Sequence, residues 1–341
     1  MRPLLHPALV NGRTGDPALY IETLFEKRAI LFDLGDLSAL PPRKVYRIEH
    51  IFVSHTHIDH FFGFDRLLRL LVGREKKLNL YGPVGFIEQV RHKLAAYSWN
   101  LVDRYLCDLS IVATEVSPAL DTRTAQFRLK NGFAAEPLGE SKAVEGVLYS
   151  EPAFQISTAL LEHRIPCLCF AIEEMAHVNI WKNKLSEMAL EVGPWLHELK
   201  RAVIEHKPDD HVIRVVPSLA RGHESELRPL HELRHAVTVT PGQKIVYVTD
   251  VADTASNRAA ILKLADGADL FFIEATFAEA DAALAAERAH LTTAAAGSIA
   301  RRARARRVEP FHFSARYGGE EDKMLAEVMT AFASPEPDVR K

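Results

Sequence analysis

Hydrophobic positions along the chain follow two rhythms. Short apolar blocks or two-residue alternations, bounded by polar and turn residues, predict strands in "ALYIETLF", "RAILFDLG", "HIFVSH", "LNLYGP", "FQISTALLEH", "PCLCFAIEE", "KIVYVTD", "DLFFIEATF" and "RVEPFHFS". Between them lie helical patterns: "FGFDRLLRLLVG", closing on a glycine; "VGFIEQVRHKLAAYSW", with Phe86, Ile87, Val90, Leu94 and Tyr97 on one face; and "ASNRAAILKLADGA". Strands so numerous and so evenly spread exclude an all-helical protein. Helices interspersed among them predict the α/β class, with sheets covered by helices. No repeat, low-complexity block or linker breaks the pattern, so residues 1–333 are expected to form a single domain. Residues 334–341, "SPEPDVRK", read as a frayed tail.

Composition adds limits rather than direction. A chain of 341 residues that is 48% hydrophobic can bury a substantial core. A net charge of −3 gives no global pull toward nucleic acid or membrane, so a polyanionic partner would need a local patch. No stretch reaches the roughly 18 apolar residues of a membrane span. His6 and Pro7 interrupt the first apolar run, which points to a soluble, unexported, cytoplasmic protein. The three cysteines are Cys107, Cys167 and Cys169. Their odd number, and the placing of two on one face of the strand in "PCLCF", predict buried free thiols in a reducing compartment.

The chemistry concentrates in "HTHIDH", which sets His55, His57, Asp59 and His60 directly after a strand. Neutral imidazole nitrogens and carboxylate oxygens are the usual ligands of zinc sites that stay open to water. His55 and His57 can point the same way as the chain leaves the sheet, while Asp59 and His60 sit on the following turn. One short loop could therefore serve two neighbouring ions. The plainer reading is a polar loop with capping roles.

"HTHIDH" resembles the H-x-H-x-D-H signature of the metallo-β-lactamase superfamily. Four later stretches, "LLEHRIPCLCFAIEE", "KIVYVTDVAD", "IEATFAEADAALAAERAHLTTAAAG" and "VEPFHFSARY", are similar to segments of its ribonuclease Z branch. The resemblance implies a four-layer αβ/βα sandwich binding two divalent metal ions, most often zinc. His55, His57, His163 and Asp250 would hold one ion, and Asp59, His60 and His312, sharing Asp250, the other. It implies a metal-dependent phosphodiesterase and endoribonuclease that removes the trailer of precursor tRNA, with a metal hydroxide attacking phosphorus. Asp59 would also orient the attacking water, and His290 would stabilise or protonate the leaving oxygen. Ser314 and Arg316 would grip phosphate, a task suited to the fork of a guanidinium. The alternative for Glu274 and Arg316 is a structural ion pair at a sheet edge. Family members often dimerise.

The branch also carries a tRNA-clamping arm after the third histidine. Residues 177–208 stand in that place, and Lys182, Lys184, Lys200 and Arg201 would meet phosphates there. An amphipathic helix pair with solvated lysines is the other reading. "RRARARR", 301–307, reads first as a charged outer helix face. The chain departs from the branch in several places. "LVNGRTGDPALY" replaces a glycine-rich loop, Thr249 and Val251 flank Asp250, "FFGFDRLL" follows the histidine motif, and residues 100–150 have no counterpart. These departures keep open a small-molecule metallo-hydrolase acting on a cyclic phosphodiester, sulfate ester or lactone.

Overall fold

The computed structural model of the chain describes residues 4–24, 26–218 and 225–334. The chain divides into two compact units, Met1–Glu173 with Gln243–Lys341, and Glu174–Gly242. Of the expected tail, only Ser334 is among the described residues; 335–341 lie outside them.

The first unit opens with an eight-stranded sheet whose spatial order equals its chain order. Its strands are β1 (Leu5–Leu9), β2 (Leu19–Thr23), β3 (Ala29–Phe32), β4 (Ile48–Phe52), β5 (Lys76–Pro83), β6 (Leu109–Val116), β7 (Asp121–Arg128) and β8 (Ala135–Lys142). β3 to β6 run parallel, which demands crossovers, and these hold α1 (Pro42–Val45), α2 (Ile58–Phe61), α3 (Phe64–Leu71) and α4 (Phe86–Ala95). Helices cover the outer face, so the central strands are buried on both sides and read as apolar blocks: all four residues of β3 are buried.

The second sheet gathers β9 (Val147–Ser150), β10 (Phe154–Glu162) and β11 (Pro166–Glu174). The chain then builds the second unit from β12 (His177–Ile180), α5 (Lys182–Glu187), α6 (Trp195–Ile204), β13 (Val212–Val215), β14 (Glu226–Pro229), α7 (Leu230–Leu233) and β15 (Val237–Thr240). It returns with β16 (Lys244–Val248), α8 (Ala255–Ala265), β17 (Leu270–Glu274), α9 (Ala282–Arg288), α10 (Thr293–Arg302), β18 (Val308–Phe311) and α11 (Glu321–Ala333). The sheet order is β18-β17-β16-β11-β10-β9, with β16, β17 and β18 parallel.

Three cores fix the layers. Between the sheets, Phe32 and Phe52 of the first meet Phe170, Tyr247 and Phe311 of the second. The Phe32 ring lies 5.4 Å from Phe170 and 5.6 Å from Tyr247. Each such side chain contributes about 1.5–3 kcal/mol by leaving water. On the outer face of the first sheet, Phe64, Leu67, Leu68 and Leu71 of α3 pack with Phe86, Ile87, Val90 and Leu94 of α4. On that of the second, residues of α8, α10 and α11 make the third core. The result is the αβ/βα four-layer sandwich.

Two local expectations shift, and one stretch gains structure. Tyr97 lies past the end of α4 and is about half exposed, because the helix stops at Ala95. Residues 100–150, outside the strands that the apolar pattern predicts and without a counterpart in the resembled branch, supply β6, β7 and β8, the last almost wholly exposed. Cys167 and Cys169 are buried and unpaired as expected, but Cys107 is only partly buried, its Sγ donating to Gly73 O at 2.8 Å.

The second unit has its own small core, including Leu185, Trp195, Leu199, Leu230 and Leu233. The stretch 177–208 supplies β12, α5 and α6 of this unit, which continues to Gly242 through β13, β14 and β15. Lys182, Lys184, Lys200 and Arg201 are all exposed on it. Among the described residues no helix is long and apolar enough to cross a membrane.

Candidate metal centre

The centre is assembled from strand ends. Past β4, Val53 N still donates to Tyr81 O of β5 at 2.8 Å, and then Ser54 O accepts Leu168 N of β11 at 2.9 Å. The chain is thus handed from one sheet to the other at the point where His55 begins the motif. His57 precedes the single turn of α2, which carries Asp59 and the fully buried His60. His163 sits in the turn joining β10 and β11, Asp250 follows β16, and His312 follows β18 with left-handed backbone at φ 59°. Sequence-distant residues meet because parallel β16, β17 and β18 end at one edge of the sandwich.

Around Asp250 the side chains sort into two sets. Its Oδ2 lies 3.7 Å from His55 Nε2 and 3.5 Å from His163 Nε2. Its Oδ1 lies 2.9 Å from His312 Nδ1 and 3.4 Å from His60 Nε2. His55, His57, His163 and Asp250 offer ligand atoms all within 4.8 Å of one another, and so do Asp59, His60 and His312. All seven residues expected from the sequence therefore converge.

Their chemistry fits divalent cations. Asp33 Oδ2 accepts His60 Nδ1 at 2.9 Å, which leaves Nε2 buried, with no hydrogen-bond partner among the described residues, and aimed at the cluster. The Nε2 of His55 and Nδ1 of His57 face each other at 2.9 Å. His163 Nδ1 donates to Ala289 O at 2.8 Å, which likewise reserves its Nε2. A carboxylate or carbonyl behind each ring is how metal-bound histidines are held in one tautomer.

The electrostatics are those of a site that wants positive charge. Burial, with His60 beside it, pushes His55 down to about 2, and burial also lowers His57. For His60 burial is outweighed by the Asp250 and Asp33 carboxylates, which raise it to about 10. His312 is raised well above the usual imidazole range in the same way, burial losing to Asp250. Asp250 is held well below the usual carboxylate range by His312 and His60 despite its burial. Asp59, also opposed by burial, is lowered to about 2 by His312 and His60. Protons on imidazole balance the carboxylates wherever a cation does not.

His290 and Glu274 complete the wall. Glu274 is fully buried and accepts Val251 N at 2.8 Å, Thr276 Oγ1 at 2.5 Å and His290 Nδ1 at 3.2 Å. Burial lowers the His290 pKa, but Glu274 and Asp250 outweigh it and raise it overall. The expected alternative of a Glu274–Arg316 ion pair is not formed: Arg316 Nη1 lies 3.7 Å from Asp281 instead. Ser314 and Arg316 line the same cavity as His57, Asp59, His163, Asp250, His290 and His312; its volume is about 600 Å³. Thr14, Gly15 and Asp16, from the loop "NGRTGD", line it too. Among the basic run 301–307, Arg304, Arg306 and Arg307 pair with Asp266, Asp269 and Glu309, a charged edge closed on itself.

Sequence reasoning missed Asp33, Tyr247 and the bond from Glu274 to His290. Asp33 ends the apolar block "AILFD", the same pattern that marked Asp250, and that signal could have found it. Nothing local marks the Tyr247 hydroxyl.

Comparison with known proteins gives a consistent picture. The family profile "Beta-lactamase superfamily domain" matches residues 182–313. Ribonuclease Z of Deinococcus radiodurans is 30% identical over 321 residues, covering 92% of this chain and 91% of that protein. Ribonuclease Z of Thermobifida fusca is 31% identical over 317 residues, covering 91% and 82%. Among solved structures, the short form of human tRNase Z aligns with a TM-score of 0.54 at 21% identity, over 92% of this chain and 91% of that one. The metallo-β-lactamase fold protein YhfI of Bacillus subtilis aligns at 0.53 and 16%, over 96% and 92%. The structures share the fold, the sequences the branch: the chain belongs to the ribonuclease Z family of the metallo-β-lactamase superfamily.

Proposed function

We propose that this protein is a cytoplasmic endoribonuclease that removes the trailer of precursor tRNA with two bound divalent ions, zinc being the best match to the donors. One observation carries the reading. The two oxygens of Asp250 divide between two histidine sets, and His290, backed by Glu274, stands in the same cavity.

His55, His57, His163 and Asp250 would hold one ion, and Asp59, His60, His312 and Asp250 the other. Bound there, such a pair supplies the Lewis acidity that makes water nucleophilic at neutral pH and offsets charge on phosphorus. Asp59, partly exposed to the cavity, orients the attacking water and accepts its proton. As the new oxygen–phosphorus bond forms, the ester bond on the opposite side breaks. The leaving oxygen takes a proton from His290, whose Nδ1 is held by Glu274 so that Nε2 serves the cavity. Arg316 and Ser314 bind the phosphoryl oxygens and restrain the phosphate in line.

The second unit would act as the substrate arm. Among the described residues its exposed Lys182, Lys200 and Arg201 have no ion pair, whereas Lys184 meets Glu187 at 2.9 Å. Free basic groups of this kind bind a phosphate backbone without reading sequence.

The test is direct: give purified, zinc-loaded protein a precursor tRNA and a chromogenic phosphodiester, and map the RNA ends. A single cut at the trailer junction is expected. Turnover of the small ester alone, with intact RNA, would defeat the reading in favour of a small-molecule hydrolase.

A further inference from the structure

We propose that Arg288 grips a phosphate of the RNA chain other than the one that is cut, an inference that rests on the function proposed above. Arg288 is the last residue of α9, is exposed, and lines the cavity that contains His57, Asp59 and Asp250. Leu284, one helical turn earlier, lines it as well, so this face of α9 looks into the site.

Among the described residues the Arg288 side chain has no hydrogen bond or ion pair, although most arginines nearby in sequence do. Arg258 meets Asp253, Arg304 meets Asp266, Arg306 meets Asp269, and Arg316 approaches Asp281 at 3.7 Å. A guanidinium left unpaired on the wall of a catalytic cavity presents its donors to an incoming anion, and a phosphodiester matches the spacing of that fork.

The obvious lesser role is to cap the C-terminus of α9, where a cation is favourable. That role is already taken. Glu287 O accepts Arg164 Nη2, Ala289 O accepts His163 Nδ1 at 2.8 Å, and Ala285 O accepts His290 N at 2.9 Å. The same bonds make the base of Arg288 rigid, since the carbonyls on both sides of it are held by the turn between β10 and β11. Ala289, left-handed at φ 59° and buried, separates Arg288 from His290, and both of those side chains line the cavity. With Arg316, Ser314 and His290 engaged on the scissile phosphate, Arg288 is positioned for another link of the same strand.

Precursor tRNA cleavage by wild type, R288A and R288K, over roughly 50 to 200 mM salt, tests this. R288A should raise KM about tenfold while kcat changes less than about twofold. Its log kcat/KM against log salt should be shallower by about 0.7–0.9, the signature of one lost phosphate contact, and R288K should restore the slope. A wild-type slope in R288A would overturn the proposal. So would R288K keeping the shallow slope of R288A, since a lysine charge would still neutralise one phosphate, or a collapse of kcat at unchanged KM, which would place Arg288 on the scissile phosphate. Wild-type protein that leaves precursor tRNA intact would overturn this proposal and the proposed function together.

Discussion

The Tyr247 hydroxyl donates to Asp33 Oδ2 at 2.9 Å, a buried bond from one sheet to the other. The same oxygen accepts Ser54 Oγ at 2.9 Å and His60 Nδ1 at 2.9 Å, while Oδ1 accepts Ser54 N at 2.6 Å. Tyr247 thereby ties the carboxylate that orients His60 to β16, the strand that ends at Asp250. The spacing between the two halves of the ligand set is built into the sandwich core.

Removing this tie should weaken metal binding at the proposed centre more than it weakens the fold. Tyr247→Phe keeps the packing against Phe32 and Phe311 and loses one hydrogen bond, about 1 kcal/mol of stability. Asp33→Asn replaces the acceptor of four donors and should lower metal affinity about 10–100-fold. Competitive titration with a chromogenic chelator, paired with denaturant unfolding, separates the two effects. Wild-type metal affinity in Asp33→Asn would remove Asp33 from the site.

Gly63 makes a second prediction. It follows α2, its N donates to Leu34 O at 2.7 Å, and a Cβ there would overlap Gly35 O. Gly63→Ala must push α2 away and carry Asp59 and His60 with it. A loss of about 1–3 kcal/mol is expected, with reduced metal content by elemental analysis. Full metal occupancy and unchanged stability would show that the loop relaxes without cost.

The pairing of His290 with Glu274 predicts unequal losses. His290→Ala should lower kcat about 10²–10⁴-fold, the range of a general acid. Glu274→Gln leaves an amide facing Val251 N and Thr276 N, and should cost about 1–3 kcal/mol of stability along with part of kcat. Steady-state kinetics beside thermal melts check both. Equal activity of Glu274→Gln and wild type would reduce Glu274 to a scaffold.

His50, inside β4 and not among the candidate ligands, should report on acid stability. Its ring is 4.0 Å from Tyr149, Nδ1 is buried with no hydrogen-bond partner among the described residues, and burial lowers its pKa to about 4. The unfolded chain therefore binds this proton first as pH falls. Stability from neutral His50 is whole above about 6.5 and declines toward 4, about 2 kcal/mol being lost by about pH 5. In His50→Phe that share of the decline should vanish from urea unfolding curves at pH 7 and 5. Parallel losses in variant and wild type would contradict the assignment.

Much of the site was legible in the order of residues because its chemistry is local. "HTHIDH" brings four of the seven candidate ligands within six positions, and apolar blocks mark the strands whose ends carry the rest. The covered central strands were equally plain, since burial on both faces leaves uninterrupted apolar runs such as "AILF". The exposed β8 and its neighbour β7 were not, because a solvated strand has little apolar pattern to betray it. Which carboxylate orients His60, which acid backs His290 and which arginine is left unpaired are questions of distance between residues far apart in the chain. Sequence alone determined the candidate donors and the order in which they arrive. Only the packing of two sheets decided how they are shared, because a hydrogen bond depends on position in space, and the chain constrains that position only once the core has closed.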